Sequence, residues 1–119
     1  MPERLLDTRL EYQKGYTGAR PVAGQTVELQ VTGAGATKVP AGATSVVINV
    51  TGVSAPVDGL VTVSPSGTTR PSTSNLNLKV GAISTNLVIS KNGTGGKVCL
   101  STAGGTDLIA DISGYRRVG

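Results

Sequence analysis

Ser45-Val46-Val47-Ile48-Asn49-Val50-Thr51 is the stretch whose reading decides the fold class. Five of its seven residues are β-branched, a type that fits a pleated strand better than a helix. Alternation puts Val46, Ile48 and Val50 on one face, as a strand with one buried side requires. Outward from it the same period of two recurs. Residues 26–32 set Val27, Leu29 and Val31 against Glu28 and Gln30, and residues 74–80 set Leu76, Leu78 and Val80 against Asn75, Asn77 and Lys79. Residues 59–64, with Leu60, Val61 and Val63, join 85–90, 97–101 and 106–113 in the set. Gly-, Pro- and Asn-rich breaks separate them, and no window keeps a helical period for three turns. The expected fold is all-β: an antiparallel β-sandwich, jelly-roll or Ig-like, of about seven to eight strands.

The 119 residues suit one domain. We divide it into an N-terminal strand (1–9), a surface segment without alternation (10–24), the sandwich body (25–115) and a basic tail (116–119). With no Phe or Trp and three Tyr, the core has to be aliphatic. The strongest turn signal, Lys91-Asn92-Gly93-Thr94-Gly95-Gly96-Lys97, predicts a hairpin joining the strands on either side. Cys99, between Val98 and Leu100, is expected to be a buried apolar side chain rather than a reactive thiol.

The absence of His excludes a Ser-His-Asp or Cys-His centre and most zinc sites. Asp7, Asp58, Asp107, Asp111, Glu3, Glu11 and Glu28 leave paired-carboxylate chemistry formally open, but no aromatic residues are at hand to hold a sugar between them. The expectation is a protein that is not an enzyme and uses no cofactor or metal. The net charge of +4 comes from scattered Lys and Arg with no stacking aromatics between them, so no nucleic-acid partner is expected, and no stretch has the length of a membrane span. Asp111 falls on the face of its strand opposite Leu108, Ala110 and Ile112. A half-buried carboxylate there calls for a cationic partner, and we expect a structural clasp of Asp7, Arg9, Arg70 and Asp111. Tyr12, Tyr16 and Arg20 in the surface segment, with Arg116 and Arg117 in the tail, are the candidate interface residues, because Tyr and Arg are favoured at interfaces.

Read in order, Pro2-Glu3-Arg4-Leu5-Leu6-Asp7-Thr8-Arg9, Pro21-Val22-Ala23-Gly24-Gln25-Thr26, Ile48-Asn49-Val50-Thr51, Gly59-Leu60-Val61-Thr62-Val63, Arg70-Pro71, Ser74-Asn75-Leu76-Asn77, Asn86-Leu87-Val88, Gly96-Lys97-Val98-Cys99-Leu100 and Leu108-Ile109-Ala110-Asp111-Ile112-Ser113-Gly114-Tyr115 resemble a β-rich domain of exported and surface proteins of actinobacteria. The resemblance implies a non-catalytic surface module. Met1 opens the chain without a leader, so we expect synthesis in the host cytoplasm and arrival at a surface by assembly onto a bacteriophage particle. The expected role is a capsid decoration protein at the virion surface. Its partners would be the major capsid protein and copies of itself, as a homotrimer at three-fold positions. The alternative is a carbohydrate- or cell-surface-binding adhesion module of an actinobacterial surface protein at the bacterial cell surface; a host-surface glycan is a further candidate partner, since the decoration could itself touch the host envelope.

Overall fold

A computed structural model describes residues 2–117 other than 37 and 73. Its strands are β1 (Glu3–Asp7), β2 (Thr26–Gln30), β3 (Ala43–Val53), β4 (Gly59–Pro65), β5 (Leu76–Leu78), β6 (Ile83–Lys91), β7 (Lys97–Ala103) and β8 (Asp107–Arg117). They form two antiparallel sheets, ordered β1-β8-β3-β6 and β2-β7-β4-β5. The pairs β1–β8, β2–β7, β3–β6 and β4–β5 nest inside one another, as if one long hairpin had been rolled up; β3–β8 and β4–β7 are the pairings the roll brings together. That order is the eight-stranded jelly roll rather than the Ig-like arrangement. Between the sheets lies an aliphatic core that takes Val46, Ile48 and Val50 from β3, Leu108, Ala110 and Ile112 from β8, and Val61, Val98 and Leu100 from the second sheet.

Local irregularities explain residues that simple alternation does not. Leu5 and Leu6 are adjacent yet both buried, because β1 carries a bulge between Arg4 and Leu6 that gives the strand an extra residue against β8. Val80 was expected to face inward with Leu76 and Leu78, but β5 ends at Leu78 and Val80 is 62 % exposed in the following turn.

The segment 91–97 is not a hairpin. β6 and β7 belong to different sheets, and the loop arches from one to the other. The arch is tied to the β4–β5 turn by bonds from Thr94 N to Ser66 O (2.9 Å) and from Ser66 N to Lys97 O (3.1 Å). Glycine is required at 93 because a Cβ there would overlap the backbone N and O of Ser66 and approach Lys97 O to 2.8 Å. The turn chemistry was legible, but each flanking strand finds its mate elsewhere in the roll. The predicted basic tail (116–119) is corrected where it is described: Arg116 and Arg117 complete β8, opposite Ser45 and Ala43, while residues 118 and 119 lie outside the described residues.

Cys99 is corrected likewise. Val98 and Leu100 point into the core, so alternation turns Cys99 onto the outer face of β7, where its Sγ lies 3.3 Å from Ser66 Oγ and it is only partly covered. A thiol-reactive chromophore should therefore label Cys99 in the folded protein, with denaturant raising the rate by a modest factor. Labelling that waits for global unfolding would return the side chain to the core.

Candidate functional site

Residues 8–25 form an ordered strap along the sandwich. Asp7 and Lys14 exchange backbone bonds (2.9 and 3.0 Å), which folds the strap back beside β1. The return turn passes through Gly15 at φ +66, where a Cβ would run into the Leu5 carbonyl. Gln13 donates to Thr8 O and Gly18 O, the Tyr16 hydroxyl donates to Ala19 O at 2.6 Å and accepts from Gln25, and Thr102 holds Val22 O.

The clasp at the start of the strap is built on Asp7, which is fully buried. Arg9 meets its carboxylate with two parallel side-chain bonds of 3.0 and 2.7 Å, and the Arg9 backbone N–H adds a third at 3.1 Å. Burial pushes the Asp7 carboxyl up, but these bonds and the charges of Arg9 and Arg4 outweigh it, so the group titrates below its ordinary value. The Arg9 guanidinium also stacks over the Tyr12 ring, 4.4 Å from the centroid. One carboxylate thereby orients an aromatic side chain through one arginine.

Asp111 does not pair with Arg9 or Arg70. Its partner is Arg4, with bonds of 2.9 and 3.4 Å, because the β1–β8 register sets residue 4 directly opposite residue 111. Arg70 lies away from the clasp, beside a groove on the outer face of the other sheet, and makes no hydrogen bond or ion pair among the described residues. Two members that sequence reasoning missed complete the anchor. Thr8 is buried, donates to Asp107 at 2.9 Å and accepts from Leu108 N at 2.9 Å, while Asp107 also receives Arg20 at 3.2 Å. A Thr and an Asp 99 residues apart carry no sequence signal of their meeting.

Arg9, Leu10, Glu11, Tyr12, Arg20 and Asp107 enclose an open concavity of about 490 Å³. Leu10 and Tyr12, on a single 3-10 turn (Leu10–Tyr12), stand 77 % and 59 % exposed at its rim. Of the five candidate interface residues, Tyr12 and Arg20 meet here. Tyr16 instead packs against the core and braces the strap. Arg116 and Arg117 sit at the opposite end of β8 from Asp107, roughly 30 Å away at strand rise, so they belong to another surface. Among the described residues no group of His, Cys, Asp and Glu converges to hold a metal ion.

Asp7→Ala is expected to cost about 2–4 kcal/mol, since it strands donors around a closed site. Asp111→Ala is expected to cost under about 1 kcal/mol, because Arg4 remains 43 % exposed to water. In double-mutant cycles Arg4→Ala should couple with Asp111→Ala, while Arg70→Ala should add to it independently. The depressed pKa of Asp7 gives a pH signature. Its stabilisation is complete above the ordinary value of 3.8 and is lost as pH falls through the lower folded value. Melting scans of Asp7→Asn should thus show a lower midpoint at neutral pH and a shallower loss below about pH 4 than the parent chain.

No family model, curated protein or solved structure matches the chain.

Proposed function

We propose that the protein is a non-enzymatic surface module that decorates a phage capsid, docking on the major capsid protein through the strap. The observation that carries this reading is the 3-10 turn at its start. Leu10 and Tyr12 face solvent while the backbone beneath them is fixed by the Asp7–Arg9 clasp and the Thr8–Asp107–Arg20 anchor. Exposed apolar and aromatic side chains on pinned backbone lose little conformational freedom when covered, which is what an anchor needs. The resemblance to non-catalytic surface domains of actinobacterial proteins supports the same reading. Many copies repeated over a shell would let each contact stay modest in area.

A second reading, a glycan-binding adhesion module, is favoured by the groove of about 510 Å³ on the outer face of the β2-β7-β4-β5 sheet. Thr62, Ser72 and Ser101 are among its lining residues, beside Arg70. No aromatic side chain is among its lining residues, so it lacks the stacking platform on which sugar sites usually depend.

Under the lead reading the protein copurifies with intact particles at a fixed ratio to the major capsid protein. The pair Leu10→Asp and Tyr12→Ala should stay folded, losing only the exposed Arg9–Tyr12 stack worth about 0.5–1 kcal/mol, yet fail to attach. Absence from purified particles would overturn the proposal. Binding of free protein to host cell-wall glycan, lost in Arg70→Ala, would favour the second reading.

A further inference from the structure

β6 is the edge of its sheet farthest from β1 and the clasp. Its ladder to β3 runs unbroken from Ile83 opposite Val53 to Lys91 opposite Ser45, and the bond from Asn92 N to Thr44 O continues it. Alternate residues of an antiparallel strand turn their backbone groups to opposite sides. Asn92 therefore fixes the phase: even-numbered residues of β6 address β3, and Ile83, Thr85, Leu87 and Ile89 turn their N–H and C=O outward. Among the described residues these outward groups have no backbone partner.

The same four residues carry the side chains of the sheet's outer face. Ile83, Leu87 and Ile89 are 71 %, 54 % and 61 % exposed, beside the half-buried Val47 and Val53 of β3. The opposite edge, β1, is guarded by a bulge and by Glu3 and Arg4, the devices that normally keep a sheet edge from pairing. β6 is nine residues long, regular, and charged only at Lys91.

We propose that β6 pairs with β6 of a second copy, antiparallel about a two-fold axis at Asn86, so that two four-stranded sheets become one of eight. An axis at Leu87 would set Ile83 against Lys91. The axis at Asn86 instead sets Ile83 against Ile89 and Thr85 against Leu87, each twice. It also carries Lys91 to the turn at Gly81 of the second copy. There Asp58 holds Val80 N at 2.8 Å, and its own cation, Lys79, sits at 3.7 Å with its side chain 81 % exposed. The carboxylate is thus open to Lys91, and no like charges face each other across the strands. A contact of this symmetry closes at two copies rather than three. It leaves the strap free, because β1 and β6 are opposite edges, and it does not depend on the capsid reading.

Sedimentation equilibrium of the full chain, from micromolar to near millimolar, should show a monomer–dimer equilibrium. Leu87→Lys and Ile89→Lys alter exposed side chains, so each should keep the fold, checked by circular dichroism, and weaken dimerisation at least tenfold. Asn86→Cys places two thiols at the axis, at the non-hydrogen-bonded separation of about 4.5 Å, and should oxidise to a linked dimer while the parent, with Cys99 alone, does not. A chain that is monomeric throughout, that forms trimers, or that dimerises unchanged in both lysine variants would overturn the proposal. So would Asn86→Cys that stays unlinked, or a β6 that accepts only an extended segment of a different protein.

Discussion

The Asp7 carboxylate is enclosed completely, and a charge in that position is tolerable only if the chain around it is arranged to supply donors. Arg9 supplies most of them, and doing so fixes the direction in which the backbone leaves β1. The bridge to Lys14, the turn at Gly15 and the seating of Tyr12 beneath the Arg9 guanidinium follow from that exit. Asp7 thus joins Asp107 and Asp111 in balancing the three arginines at this end of the sandwich, Arg4, Arg9 and Arg20.

β8 is the strand on which this arrangement converges. It pairs with β1 on one side and β3 on the other, its inward residues Leu108, Ala110 and Ile112 are fully or nearly fully buried, and its outward residues Asp107 and Asp111 receive Arg20 and Arg4. One strand therefore holds the core with alternate side chains and the strap with the others. The roll makes this possible by bringing the first and last strands of the chain side by side, so that the pairing that adds β1 to the sheet also sets Arg4 opposite Asp111.

The two edges of that sheet are treated differently. On the β1 side, charge and a bulge protect the backbone, and the strap presents Leu10 and Tyr12 from fixed positions. On the β6 side, the backbone and an aliphatic stripe are left open. Under the two proposals above, a module that docks through one edge and pairs through the other would bind a repeating surface while linking to its own kind, each contact lending the other effective concentration.

Strand identity and inward sets were written in the sequence wherever one face is buried and the other wet. Val27-Glu28-Leu29-Gln30-Val31 and Val46 to Val50 alternate because water and core impose a period of two, a local constraint. The Asp7–Arg9 half of the clasp was legible for the same reason, since two residues apart on an extended chain lie side by side. Everything that depends on which strand meets which was not. Arg4 rather than Arg9 or Arg70 reaches Asp111, Asn92-Gly93 arches between sheets instead of closing a hairpin, and Thr8 finds Asp107, all because the roll pairs β1 with β8 and separates β6 from β7. Cys99 was misplaced by reading its apolar neighbours as its environment, when alternation sends it to the opposite face. The sequence alone determined a β-sandwich with an aliphatic core and a polar strap, because those follow from period and composition. Only the tertiary structure decided the jelly-roll order, the ionic partners and the open edge, because register between distant strands is a property of the assembled core and not of any segment within it.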